Sequence, residues 1–286
     1  SERLSALTGG ALGHAFYASD GASATEIALK MSAHHWRNHG QPRKHRFVCV
    51  EGGYHGETLG ALAVTDVPLF RQAYEPLIRP AITVPSPDDR HAAPGEDRTA
   101  PAARAAEALE RCLAEHAGEI AAVIVEPLVQ CAGGMAMHDG SYLRRVREAC
   151  DRHGVHLIAD EIAVGFGRTG TLFAHEQAGI RPDFLCLSKG ITGGFLPLSV
   201  VLTTDTVYEA FYDDSAAKAF LHSHSYTGNP LACAAALAVL DIFRDDDVIA
   251  ANALKAARFD GLLDPLRGDA RLAHLRRTGM IWAFDV

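Results

Sequence analysis

Leu157-Ile158-Ala159-Asp160-Glu161 and, further along, Phe184-Leu185-Cys186-Leu187-Ser188-Lys189-Gly190 are the stretches that decide the fold. Each is a short apolar run that ends in a charged residue and passes into a glycine-containing loop. Such a run reads as a buried strand of a parallel sheet. It delivers its last residue to the carboxyl edge, where α/β proteins hold their ligands. Asp160 and Lys189 are therefore the first candidates for chemistry.

Working outward, helical and strand patterns alternate, as they do in a parallel sheet with helices on both faces. After a turn at Tyr17-Ala18-Ser19-Asp20-Gly21, the spacing of Ala24, Ile27, Ala28 and Met31 predicts a helix from Ser23 to about Asn38, closed by Gly40. Strands are expected at Phe47-Val50, Ala121-Val125, Leu157-Asp160, Phe184-Leu187 and Leu198-Leu202. Helices are expected at about Ala102-His116, Tyr142-His153 and Pro230-Phe243. Val84 to Pro101 is rich in Pro, Asp, Gly and Arg without periodicity, and reads as a surface excursion. Beyond the acidic turn Asp245-Asp246-Asp247 the pattern changes to a helix ending near Leu263, polar connections, and a strand at Met280-Phe284. We therefore expect a large domain over 1–244, lacking an N-terminal segment, and the incomplete beginning of a smaller α+β domain over 245–286.

At 286 residues with 48% apolar composition the chain can bury a sizeable core, and it reads as a soluble globular protein. No apolar run approaches the roughly 18 residues of a membrane span, and Ser1-Glu2-Arg3-Leu4 has no signal-peptide pattern. A cytoplasmic location and no membrane partner are expected. The net charge of −8, from 35 acidic and 27 basic residues, argues against nucleic acid as a partner. The six cysteines are scattered without a C-x-x-C pair and read as free thiols of a reducing compartment. No metal site is expected: His34 and His35 diverge by about 100° on a helix, and no H-E-x-x-H occurs.

An acid and an amine at neighbouring strand ends suit pyridoxal phosphate, the amine bonding its aldehyde and the acid pairing with its ring nitrogen. A buried salt bridge fits these two residues equally well. Ser19-Asp20-Gly21-Ala22-Ser23 at a helix start offers amides and the helix dipole to a phosphate, or is an ordinary cap; Asp20 must cap or turn away from an anion. Gly52-Gly53-Tyr54-His55-Gly56 lets an aromatic ring lie against a planar ligand, or is a tight turn. Ser223-His224-Ser225-Tyr226-Thr227-Gly228-Asn229-Pro230 sets hydroxyls before a helix, to bind phosphate or to cap.

In order along the chain, five segments resemble the motifs of the class III, fold type I pyridoxal-phosphate aminotransferases: Phe16 to Glu26, Tyr54-His55-Gly56, Val125-Glu126-Pro127, Asp160 to Gly170 and Ser188-Lys189-Gly190. The likeness covers nearly the whole chain. It implies Lys189 as the Schiff-base lysine and proton shuttle, Asp160 as partner of the pyridine nitrogen, and Tyr54 stacked on the ring. Gly21 and Ala22 would give amides to the phosphate. Ser225 would reach the phosphate of a neighbouring subunit, which implies a homodimer with shared active sites. The substrates implied are a small-molecule amino donor and a keto acceptor, with Tyr54, Ser223 and Arg168 as candidate contacts; Arg168 reads equally as a structural arginine capping carbonyls. Two departures stand out: Asp20 and Ala22 replace small polar residues, and Cys131 replaces a glycine, a change expected to alter only a loop. Lys30-Met31 with Trp36, the Glu126-to-Met135 run, Ile191-Thr192-Gly193-Gly194 and His222 to Cys233 are similar to the family's biotin-pathway branch, which uses S-adenosylmethionine or lysine as donor. Other ω-amino specificities (ornithine, 4-aminobutyrate, a diamine) and a non-catalytic α/β binding protein stay open, whereas a nicotinamide dehydrogenase lacks its G-x-G-x-x-G.

Overall fold

The computed structural model describes residues 1–286. Its centre is a seven-stranded sheet with the spatial order β1 (His14–Ala18), β9 (Ser199–Thr203), β8 (Phe184–Leu187), β7 (His156–Asp160), β4 (Ile120–Val125), β2 (Arg46–Val50) and β3 (Ile82–Val84). Neighbours from β8 to β3 pair in parallel, while β9 runs antiparallel to both β8 and β1. The sheet is thus mostly parallel, as expected, with one reversed strand.

The continuous apolar character of the central strands follows from burial on both faces. All six residues of β4 are buried. Val123 and Val125 join the core beneath α5 (Ala100–His116) and α6 (Gly140–His153), whereas Ala122 and Ile124 join the core beneath α2 (Gly21–Asn38). The predicted stripe of α2 is the buried one: Ala24, Ile27 and Ala28 are fully buried and Met31 nearly so. The third core packs α8 (Pro230–Asp245) through Ala232, Ala236 and Leu240 against Leu185, Leu187 and Val200. Short helices α1 (Glu2–Leu7), α3 (Leu59–Ala63), α4 (Pro68–Arg71) and α7 (Asp205–Glu209) occupy connections.

Three local readings are corrected. Tyr17 and Ala18 belong to edge strand β1 rather than to a turn; its mostly half-buried residues give no clean alternation. The Val84–Pro101 excursion is shorter, because Val84 ends β3 and α5 starts at Ala100, with Pro101 in its first turn, where no N–H is needed. The excursion is also tethered: Asp88 is buried and paired with Arg90, which reaches Asp285 at 3.2 Å. The polar stretch after α9 (Val248–Leu263) contains β10 (Ala273–Thr278), hidden by its charges, which forms an antiparallel hairpin with β11 (Ile281–Asp285). Trp282 fastens this hairpin to α9 by donating to Asp260 at 3.0 Å.

Candidate functional site

A cavity of about 360 Å³ opens at the carboxyl ends of the parallel strands. It is lined by Gly21, Ala22, Tyr54, Asp160 and Lys189, so the structure brings together five of the predicted site residues. Asp160 ends β7, and its carboxylate is almost fully buried. Its Oδ1 accepts from the Ile162 amide at 3.1 Å, and its Oδ2 lies 2.6 Å from His55 Nδ1. A carboxylate only accepts, so the imidazole donates there, and its Nε2 is left buried without a partner. Asp160 and Lys189 are therefore not the two halves of a salt bridge; the buried acid is paired with His55 instead.

Lys189 follows β8 and opens a 3₁₀ turn, Lys189–Thr192. Its backbone sits in the left-handed region at φ 45°, a conformation uncommon for a residue with a Cβ and frequent at functional sites. Its side chain is exposed at the cavity and has no protein partner. The residue before it is pinned, Ser188 Oγ donating to the Leu198 carbonyl at 2.9 Å.

The opposite wall is the first turn of α2. Asp20 caps this helix, accepting from Ser23 N at 2.9 Å, so its carboxylate is engaged by the helix, as the sequence requires. The Gly21 and Ala22 amides find no acceptor, and they add to the positive end of the helix dipole. The tyrosine loop packs directly on this turn. A Cβ at Gly56, whose φ is 120°, would lie 2.6 Å from that of Ala22, so only glycine permits the approach. Thr25 of α2 holds the loop by donating to the His55 carbonyl at 2.8 Å. Tyr54 donates its hydroxyl to Glu57 at 2.8 Å, and its ring lies 5.1 Å from that of Phe70. Burial, then the Glu57 hydrogen bond and charge, push the Tyr54 phenol up to about 12.

Reading the sequence did not assign roles to three residues that line the cavity. His55 lies in the Gly52–Gly56 loop, but its partner Asp160 is remote in sequence and no spacing connects them. Glu126, just after β4, is buried and accepts from the Tyr54 and Cys131 amides at 3.0 and 3.1 Å. Burial pushes its carboxyl up to about 7, with the Asp160 charge adding to the shift while His55 and the two amides oppose it. Cys131 changes more than a loop, because it too lines the cavity; burial pushes its thiol up to about 11. Glu161, next to Asp160, is buried in a different task, accepting from Ala174 N, His175 N and His175 Nδ1.

Three predicted residues lie outside the cavity. Ser223 and Ser225 are exposed in the segment before α8, which is fastened beside α2 by a 2.8 Å contact between Ser19 Oγ and His224 Nε2 and by Thr227 donating to the Tyr17 carbonyl. Arg168 is exposed and donates to the Ala163 carbonyl at 3.3 Å, the carbonyl-capping alternative.

The family model for class III aminotransferases matches residues 1–286. The chain belongs to the class III aminotransferases. Among curated class III relatives it is 48% identical to the adenosylmethionine-8-amino-7-oxononanoate aminotransferase of Helicobacter pylori (strain ATCC 700392 / 26695) and 43% identical to that of Geobacter sulfurreducens (strain ATCC 51573 / DSM 12127 / PCA), covering 100% of this chain and 64% of each relative. This class III chain thus spans a little under two thirds of the length of those proteins. Among solved structures, the enzyme of the same name from Methanocaldococcus jannaschii DSM 2661 superposes with a TM-score of 0.90 at 33% identity, over 100% of this chain and 63% of that one. An amine transaminase from an uncultivated Pseudomonas species, solved in a PLP-bound form, gives 0.90 at 35% identity, over 97% and 64%. An (S)-enantioselective omega-transaminase from Thermomicrobium roseum gives 0.93 at 33% identity, over 99% and 63%.

Proposed function

We propose that the whole protein is a pyridoxal-phosphate-dependent aminotransferase that converts 8-amino-7-oxononanoate to 7,8-diaminononanoate in biotin biosynthesis, with S-adenosylmethionine as amino donor. The observation that carries the cofactor is the single cavity in which a buried, histidine-paired Asp160 and a partnerless Lys189 amine meet two unpaired helix-start amides. That donor set fits the group: amides for its phosphate, a carboxylate for its ring nitrogen, and an amine for its aldehyde. The acceptor and donor rest on the relatives' names.

When bound, the cofactor supplies an electron sink for the carbon that loses or gains a proton. Lys189 Nζ would hold the cofactor by its aldehyde and, once displaced, would take the proton from the donor's carbon and pass it to the cofactor within the same half-reaction, the transfer running in reverse with the acceptor. Asp160 keeps a proton at the ring nitrogen, and His55 orients Asp160 by its 2.6 Å hydrogen bond. Gly21 and Ala22 hold the phosphate on their amides. Tyr54 would cover the ring, and Ile162 lines the same cavity. Residues 1–244 form the cofactor-binding domain and 245–286 belong to a smaller second domain. A second copy of the chain completes each site, the exposed Ser225 reaching the phosphate held by its partner; Ser223, exposed in the same segment, contacts substrate, while Arg168 keeps the carbonyl-capping role that its contact with Ala163 supports.

The test is the visible spectrum of the whole protein with pyridoxal phosphate, before and after 7,8-diaminononanoate. Conversion of the lysine-bound cofactor's band to that of the aminated cofactor is the expected result. A band that ignores this diamine but responds to a simple ω-amine would replace the substrate with the second reading, an ω-transaminase, which the 0.93 TM-score to the Thermomicrobium roseum enzyme favours. No band at all would overturn the cofactor.

A further inference from the structure

Cys131 and Ala132 form one side of the cavity, and they open a tight connection between β5 (Val129–Gln130) and β6 (Ala136–Met137). The connection has little support of its own. Its turn is closed by one long bond, Met135 N to the Cys131 carbonyl at 3.2 Å, and both Gly134 and Met135 are held in the left-handed region, at φ 78° and 53°. Glycine adopts that conformation freely and methionine does not.

The missing support comes from the C-terminal hairpin. Arg276 of β10 is buried to 6% exposure, with a guanidinium spent almost entirely on backbone. Its Nη2 donates to the Gly134 carbonyl at 2.7 Å and its Nε to the Met135 carbonyl at 2.9 Å. Its Nη1 donates to the His274 carbonyl at 2.9 Å and to Asp285 at 3.0 Å. Asp285 in turn pairs with Arg90 of the tethered excursion. The rigid fork of an arginine satisfies two adjacent carbonyls in a way a lysine cannot.

The position of the connection is transmitted onward by close packing. A Cβ at Gly133 would collide with the Gly52 carbonyl, so the connection lies directly against the loop that carries Tyr54. At its other end the Cys131 amide shares the Glu126 carboxylate with the Tyr54 amide. The same hairpin also grips the glycine loop after Asp160: Met280 N donates to the Arg168 carbonyl at 2.7 Å, and Gly279 packs against Thr169 without room for a side chain.

We propose that Arg276 is a positioning residue, which from the C-terminal hairpin holds the 131–135 connection against the tyrosine loop and so sets the shape of the substrate side of the cavity. The part concerning substrate rests on the aminotransferase reading; the part concerning the connection does not. Small movements of the second domain are then felt at Cys131 and Ala132 through two carbonyls.

The test compares Arg276→Ala and Arg276→Lys with the unaltered whole protein, by two measurements. The first is peptide-resolved alkylation with N-ethylmaleimide, with Cys233, on α8, as internal reference. Arg276→Ala is expected to speed labelling of Cys131 about fivefold while leaving Cys233 unchanged, with Arg276→Lys between the two. The second is steady-state transamination, where KM for 8-amino-7-oxononanoate is expected to rise about tenfold with kcat within about twofold. Labelling of Cys131 and KM both equal to the unaltered protein would overturn the proposal. So would equal acceleration at Cys131 and Cys233, which marks general loosening. If the alanine variant does not fold, the lysine variant decides by the same two measurements. Absence of transamination in the unaltered protein would strike the functional reading alone, because the alkylation comparison needs no cofactor.

Discussion

Replacing Glu126 with Gln should change the pH dependence of stability in a direction that the structure specifies. Glu126 is 6% exposed, and burial beside Asp160 raises its carboxyl from 4.5 to about 7. Between those two values the unfolded chain has lost the proton that the folded chain still holds. The folded state binds more protons there, so stability falls as pH rises through the window. A rise of this size corresponds to about 3 kcal/mol, fully lost above the folded value. The Glu126→Gln variant cannot ionise and lacks this fall. It also turns its NH₂ towards one of the two amides that the carboxylate accepts, at a cost of about 1–3 kcal/mol at every pH. The variant should therefore be less stable than the parent at about pH 5, and equal or more stable at about pH 8. Urea unfolding of both proteins without cofactor, at several pH values across that range, measures the difference. A stability difference that does not vary with pH would refute the reasoning, because it would mean that Glu126 ionises in the folded chain as it does in water.

Lys189→Ala should abolish both turnover and the lysine-bound cofactor's visible band while leaving the fold intact, measured by spectrum and circular dichroism; substantial residual transamination would remove Lys189 from its role. Gly21→Ala places a Cβ 2.9 Å from Ile162 Cγ2 and should weaken pyridoxal phosphate binding about tenfold, measured by fluorescence titration; an unchanged affinity would show that the first turn of α2 is not held against Ile162. His35, whose ring lies 4.6 Å from that of His156, is pushed down to about 4, first by burial and then by His39. The unfolded chain then takes up the proton first as pH falls below 6.5, so stability drops by about 2 kcal/mol towards pH 5, and His35→Leu should flatten that slope in urea midpoints.

Much of the site was legible because it is built at the ends of strongly patterned elements. Asp160 and Lys189 close runs of buried residues, and the α2 stripe of Ala24, Ile27, Ala28 and Met31 repeats with the helical period, so each could be placed from local chemistry. Asp20 could be told from a phosphate ligand because a carboxylate caps a helix and repels an anion, and it does cap. β1 and β10 were not legible: the first is a half-buried edge strand, and the second carries Arg276 and Arg277, whose charges break the apolar signal.

Apolar periodicity reports which residues leave water, and for this chain that was enough to place the central strands, the large helices and the two residues at the heart of the cavity. It carries no information on which way a fully buried strand runs, so the reversal of β9 had to come from its ladder partners. Nor does it report pairings between residues far apart in sequence. His55 with Asp160, Glu126 with the Tyr54 and Cys131 amides, and Arg276 with the Gly134 and Met135 carbonyls exist only once the sheet has brought its loops together. A hydrogen bond is decided by distance and direction in space, and those are set by the packed fold rather than by the spacing of residues along the chain.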